Sequence, residues 1–336
     1  MSLVSKLPMT NYQYNIPNTF GLDVKAKIFT EYSSVEELRE LIARYKNESL
    51  LHIGAGSNLL FTRDFDGVIL HSAMRRARCT KEDNDHVWIE ADNGLVLDEL
   101  IAQLCDMGIG GLENLSYIPG EVGASAVQNV GAYGVEAKDV IDTVRAIRIA
   151  DGTERIFTNA ECRYGYRDSI FKNELRGQYI ITHVVYRLDK HLQPKLDYGH
   201  LADEVADPNS TISIREAVIR VRRQKLPEVS ELGSAGSFFK NPIVPREKFD
   251  EIAAKYDRVP HFEQDGGIKI PAAWLIEQCG WKGRSLGGAQ CYPKQPLVLV
   301  NANHATSEDI IRLAAAICAD VQTRFGITIS PEVNYI

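Results

Sequence analysis

Apolar residues in this chain recur at helical spacing in some stretches and cluster at strand spacing in others. Val35, Leu38, Leu41, Ile42 and Tyr45 share one face of a 3.6-residue period, and Ser34-Val35-Glu36-Glu37 reads as a capping box, predicting a helix over Ser34–Tyr45. Leu97–Met107 reads as a shorter helix. Ile310, Leu313, Ala314, Ile317 and Val321, with Thr306 as cap and Gly326 as stop, predict a long one over Ser307–Phe325. Strands are expected at Ser49–Ile53, Val87–Ala91 and Tyr179–Leu188, with a hairpin of Val144–Ile149 and Arg155–Thr158 around Asp151-Gly152. The tail Ile327–Ile336 reads as a strand containing Pro331. Strands and helices do not alternate as βαβ units, so an α+β fold is expected. At about Lys225 the texture changes, because a Pro/Gly/Ser-rich passage, Leu226–Ser237, precedes a new set of helical signals; a domain boundary is placed there.

Length and composition narrow the class. The 336 residues exceed what one core organises, so two or three domains are expected, and 44% apolar with 25% charged residues is an ordinary globular balance. The longest apolar stretches, Pro296–Val300 and Leu313–Cys318, fall far short of the roughly 18–20 residues a bilayer span needs. Met1–Thr10 lacks an apolar signal core, so a cytoplasmic protein without a membrane partner is expected. Cys79, Cys105, Cys162, Cys279, Cys291 and Cys318 are scattered, with no C-x-x-C pair and no histidine at ligand spacing, which reads as reduced thiols and no metal site. A net charge of −7 argues against a nucleic-acid surface and leaves an anionic small ligand open.

Two glycine-rich passages are candidates for ligand contact. Gly54-Ala55-Gly56-Ser57-Asn58 follows a predicted strand but has leucine, not glycine, at position 59, so it fails the Rossmann G-x-G-x-x-G pattern. Ile118–Gly134 contains Gly120, Gly123, Gly131 and Gly134 among small and uncharged donor residues. That composition suits a backbone cradle for a pyrophosphate or a flavin ring; the plain alternative is a pair of tight turns between strands. Arg163–Phe171 alternates cations and aromatics, and Arg167 there has the rigid fork that binds a carboxylate or an enolate; a solvated surface is the alternative. Arg222, Arg223 and Lys225 read equally as a basic helix end. Ser237 is not a nucleophile elbow, since Phe239 stands where glycine would be required, but an oriented serine can donate a proton. Glu332, beside Pro331, is otherwise a surface carboxylate.

Taken in order, Asn18–Gly21, Gly54–Leu60, Ile118–Gly134, Tyr164–Phe171, Ala235–Pro242, Ala273–Cys279 and Pro331–Val333 resemble the UDP-N-acetylenolpyruvoylglucosamine reductase family, nearly from Asn15 to the end. Leu196–Leu201 resembles the tyrosine loop of its first type. The resemblance implies a flavin domain in two parts, of the PCMH or vanillyl-alcohol-oxidase type, with a smaller α+β substrate domain. The divisions are 1–75, 76–225 joined by the terminal strand 326–336, and 226–325. It implies noncovalent FAD held by Gly54, Ala55, Gly56, Ser57, Asn58, Ile118, Pro119, Gly120, Gly123, Ala124, Ser125, Gln128, Asn129, Gly131, Ala132 and Tyr133. Tyr166, Tyr198, Arg222, Lys225, Asn241, Lys269, Trp274 and Gln295 would line the substrate site, with His261 or Phe262 near a further contact. Arg167, Ser237 and Glu332 would be catalytic.

By the same resemblance, NADPH reduces the flavin and leaves, and UDP-N-acetylglucosamine enolpyruvate enters the same cleft. Hydride passes from N5 to C3, Arg167 and a protonated Glu332 stabilise the enolate, and Ser237 protonates C2, giving UDP-N-acetylmuramate for peptidoglycan. A monomer is expected. A flavin oxidase of the same superfamily and a non-catalytic nucleotide-sugar sensor are the alternatives; a covalent His or Cys attachment would favour the first, though no histidine lies in either glycine loop, and the second would be colourless.

Overall fold

The computed structural model describes residues 14–264 and 266–336. Its first unit is a sheet in which Lys25–Tyr32, Phe65–Ser72 and Leu50–Ile53 run parallel, with Tyr14–Asn15 antiparallel at one edge. Phe65–Ser72 is central and buried on both faces, as parallel strands usually are. Val68 and Leu70 meet Leu38, Leu41 and Ile42 of the helix Val35–Arg44, while Ile69 points the other way, to Ile53 and Phe61. Ser34 caps that helix by accepting from Glu37 N at 3.1 Å. The return half of the expected capping box lands one residue earlier, because Glu37 takes Ser33 N and Ser33 Oγ.

The second unit is a five-stranded sheet in the order Glu154–Thr158, Ile141–Arg148, Tyr179–Asp189, His86–Asp92, Ala77–Glu82, with antiparallel neighbours. The helices Leu97–Asp106 and Val122–Gln128 contribute to its core. Val122–Gln128 was not foreseen, since Gly123, Ser125 and Asn129 read as turn residues. A further helix, Thr211–Lys225, is capped by Ser210 and tied on by Thr211 Oγ1, which donates to Cys105 O at 2.8 Å, and by the Arg215–Asp98 pair.

In the third unit, Gly233–Ser237, Val298–Asn301, Ala289–Cys291 and Ser285–Leu286 form a sheet against the helix Ser307–Phe325. Thr306 and Asp309 complete a reciprocal capping box there, and Gly326 ends the helix at φ 63°. A small sheet of Ile243–Val244, Gly267–Lys269 and Phe262–Gln264 and the helices Arg246–Ala253 and Ala272–Gln278 complete this unit. Among the described residues no helix is long and apolar enough to cross a membrane.

The chain's tail departs from expectation. It does not join the second unit: Asn334–Tyr335, its one strand, pairs in parallel with Leu59–Leu60 of the first, while Ile327, Ile329 and Val333 sit in the third unit's core. Proline at 331 has no N–H to extend the strand backwards. Glu332 N instead donates to Phe238 O at 2.7 Å, and Asn334 N to Asn58 O at 3.0 Å.

Candidate active site

All three units meet at one cleft of about 890 Å³, open mouth included. Ser57 and Asn58 line it from the first unit. Ile118, Pro119, Gly120, Ala124, Ser125, Gln128 and Gly131 come from the second, with Arg167 and Arg222; Ala235–Ser237 belong to the third, and Glu332 to the tail. Both glycine-rich passages therefore face one space. They are stitched together by Ser57 Oγ, which donates to Pro119 O at 3.0 Å. Close backbone approach explains two of the glycines: a Cβ on Gly56 would lie 2.3 Å from Pro17 O, and one on Gly131 2.7 Å from Arg167 Nη1.

A flavin nucleotide brings hydroxyl donors and a pyrophosphate, and the cleft wall answers both. The short helix Val122–Gln128 starts at its edge, in the glycine-rich turn that suits an anion. Two buried oxygens at this wall lack a partner among the described residues, Thr19 Oγ1 and Glu121 Oε2. Sequence reasoning missed both. Glu121 is 4% exposed, and its Oε2 comes within 3.0 Å of where a Cβ on Gly54 would be. Its other oxygen bonds His71 Nε2 at 2.9 Å, while His71 Nδ1 bonds Glu31 at 2.9 Å. The hydrogen bond to Glu121, aided by Glu31, raises the His71 pKa against the opposing effect of burial. The residues fit a flavin nucleotide.

The catalytic candidates converge. Arg167 stands at φ 54°, a left-handed conformation that side chains seldom adopt. Its Nη2 donates to Gly131 O and its Nε donates to Glu332 Oε1 at 3.0 Å. Gln128 Nε2 donates to that same oxygen at 3.1 Å. Ser237 ends the strand Gly233–Ser237, paired with Val298 and preceded by Gly236 at φ 68°. Because Glu332 N bonds Phe238 O, Ser237 and Glu332, 95 positions apart in sequence, lie on adjoining backbone.

Beside this set lies an aromatic and cationic wall. Tyr166 accepts at its hydroxyl from Asn241 Nδ2 at 3.4 Å, and Lys269 Nζ stands 5.2 Å from its ring centroid. Burial lowers the Lys269 pKa. Tyr198 is stacked on Phe262 at 5.6 Å and 7°, with Tyr133 edge-on behind it. Phe262, not His261, thus stands at this wall; His261 packs on Phe249. Arg222 lines the cleft and donates to Tyr117 O at 3.0 Å, while Lys225 is exposed at the same helix end. Gln295 sits in the turn leading to Val298, the partner of Ser237.

Several expected contacts are placed elsewhere. Trp274 packs with Tyr256 and Phe325 against the third unit's core, because it lies on the inner side of a short helix. Asn129 is fully buried and spends its side chain on Gly165 O, Glu136 and Lys138 N. Gly123 faces Asn93, where a Cβ would come within 2.8 Å, so it serves helix packing. Gly54, Ala55, Gly56, Ala132 and Tyr133 are not among the residues that line the cleft.

Residues 26–158 match the profile of an FAD binding domain, and residues 227–336 that of the UDP-N-acetylenolpyruvoylglucosamine reductase C-terminal domain. The chain is 48% identical over 323 residues to the UDP-N-acetylenolpyruvoylglucosamine reductase of Bacteroides fragilis, covering 95% of this chain and 97% of that one. It is 42% identical to the enzyme of that name from Flavobacterium johnsoniae, with both chains fully covered. In fold it resembles the crystal structure of the Thermus caldophilus UDP-N-acetylenolpyruvylglucosamine reductase, with a TM-score of 0.68 at 22% identity over 95% of each chain.

Proposed function

From the premise that this chain belongs to the UDP-N-acetylenolpyruvoylglucosamine reductase family, we propose that Arg167, Ser237 and Glu332 mark where the enolpyruvyl ether of UDP-N-acetylglucosamine is reduced. The chain is an FAD oxidoreductase of peptidoglycan precursor synthesis, with NADPH as cosubstrate. Bound FAD supplies a hydride carrier that NADPH reduces and the enolpyruvyl double bond reoxidises, dividing turnover into an NADPH half and a substrate half. Ser57, Asn58, Gly120, Ala124 and Ser125 would hold it, while the Gln128 amide is engaged at both ends within the protein.

As C3 of the substrate gains hydride, negative charge develops at C2 and on its carboxylate. Arg167 supplies a fixed positive charge there, its guanidinium aimed by Gly131 O and Glu332. Glu332 Oε1 already accepts from Arg167 and Gln128, so Oε2 is the oxygen left to face the enolate. Ser237 gives its hydroxyl proton to C2. Tyr166, Tyr198, Asn241, Lys269, Arg222, Lys225 and Gln295 orient the UDP-sugar. The observation that supports this assignment is the backbone pairing of Glu332 with Phe238, which holds Ser237 beside the Arg167–Glu332 pair. We place the enzyme in the cytoplasm, acting as a monomer.

The test is anaerobic. FAD-loaded protein should bleach with NADPH and regain its yellow colour on adding UDP-N-acetylglucosamine enolpyruvate, with UDP-N-acetylmuramate as product. Colour restored by air but not by that substrate would sink the proposal.

A further inference from the structure

The segment carrying Arg167 continues one residue past its aromatic stretch to Lys172, a cation with no local motif to single it out. Lys172 Nζ donates to Gln128 Oε1 at 2.6 Å and to Arg167 O at 3.0 Å. The first bond decides which way the Gln128 amide faces. With its oxygen held by an ammonium, its nitrogen must point to Glu332 Oε1, where it donates at 3.1 Å. The second bond holds the carbonyl of a residue in a sparsely populated backbone conformation, one that persists only when its surroundings over-determine it. One ammonium therefore fixes both groups that bond Glu332 Oε1.

We propose that Lys172 is a positioning residue for the substrate half, acting through Gln128 and the Arg167 carbonyl to hold Glu332 in register with Ser237. This rests on the assignment of Arg167 and Glu332 made above. Without the ammonium, the Gln128 amide is free to turn its oxygen toward the Glu332 carboxyl, and Arg167 loses the bond that holds its backbone. The groups facing Lys172 are Lys240 beyond the strand Gly233–Ser237, Glu332 from the tail, and Asp168 and Arg167 of its own segment. Burial, then the Lys240 charge, brings the Lys172 pKa down to about 8. The contact with Gln128 should therefore weaken near that pH.

FAD-loaded parent, Lys172→Met, Lys172→Arg and Glu332→Ala are compared in single turnover, each half separately, with FAD affinity measured on the apoproteins and UDP-N-acetylmuramate binding measured by calorimetry. A displacement of catalytic groups by about 1 Å costs on the order of 10²-fold, which is the loss expected for Lys172→Met in the substrate half. Its NADPH half and FAD affinity should match the parent, its product affinity should fall, and Lys172→Arg should recover most of the rate. The parent's substrate half should decline above about pH 8, and Lys172→Met should lack that decline. Parental rate and pH profile in Lys172→Met would overturn the proposal, as would equal losses in both halves with weakened FAD binding, which mark a merely structural lysine. Should Lys172→Met fail to fold, the presence or absence of the alkaline decline in Lys172→Arg decides, since an arginine does not titrate there. If Glu332→Ala also retains the parental rate, the assignment of the site itself is at fault; if only Lys172→Met does, the positioning role alone is wrong.

Discussion

Glu332 can serve the enolate as a hydrogen-bond donor or as a bare charge, and two substitutions separate these roles. Glutamine at 332 keeps an acceptor for Arg167 Nε and Gln128 Nε2 and places an N–H where Oε2 stands, whereas alanine removes both functions. Losing one donor aimed at a developing oxyanion costs about 10²–10³ in rate, or roughly 2.7–4 kcal/mol. Glu332→Ala should fall by that amount in the substrate half. Glu332→Gln should stay within about tenfold of the parent, because an amide N–H still donates to the oxyanion and a typical hydrogen bond contributes only about 1 kcal/mol net. Stability should fall in Glu332→Ala as well. The bonds lost in Glu332→Ala contribute about 2 kcal/mol together, with little screening by solvent because Arg167 and Glu332 are only 16% and 14% exposed. Stopped-flow absorbance in each half, with a melting curve for each variant, provides the measurement. Equal losses in the two variants would refute the donor role and leave charge or proton transfer as Glu332's contribution.

Ser237→Ala should accept hydride from NADPH at the parental rate and then reoxidise with substrate about 10²–10⁴ times more slowly, as expected for a missing general acid; unchanged reoxidation would remove Ser237 from the mechanism. Gly123→Ala sets a Cβ 2.8 Å from Asn93 Cβ, and Asn93 cannot yield because it bonds Ser72, Tyr32 and Ile181. Overpacking costs about 1–3 kcal/mol against about 1 regained in helix propensity, so a net loss of up to about 2 kcal/mol should appear in urea melts. His71 has a raised folded pKa, so its stabilising charge is present below about 6.5, its ordinary value, and is lost as pH rises through the folded one. His71→Gln should accordingly melt lower than the parent at pH 6 and converge with it in alkali; a gap constant with pH would show that the charge contributes nothing.

Legibility in the sequence followed the range of the interaction. Elements set by local rules were readable: Thr306 and Gly326 bound their helix through a cap and a left-handed stop, and Asp151-Gly152 closes its hairpin. The helix Val122–Gln128 was not, because its glycine answers to Asn93, 30 positions back in the chain. Ser237 and Glu332 carry no local signal of their function; each is an ordinary residue until a backbone bond from Glu332 to Phe238 brings them together. Only the ordered resemblance pointed to both. Glu121 and Lys172 escaped even that, since their importance lies in what they bond: a histidine on a central strand, and an amide on the cleft helix.

The course of the tail has a mechanical consequence. Had Ile327–Ile336 joined the second unit, movement of the third unit over a substrate would have separated Ser237 from Glu332. As built, Glu332 is bonded on one side to Phe238 and Pro331 bridges to Phe239, while Asn334 and Ile336 are bonded to Asn58 and Leu60 of the first unit. The serine and the carboxyl therefore travel together, and the tail restrains how far they move from the Gly54–Asn58 loop. Adjustment to a substrate is left to contacts that cost less to break. The Tyr198–Phe262 stack is one, joining an exposed loop to the third unit's small sheet through an aromatic contact of about 0.5–1.5 kcal/mol. Ser237 and Glu332 are thus held by backbone hydrogen bonds, and the cleft's rim by a contact between exposed side chains.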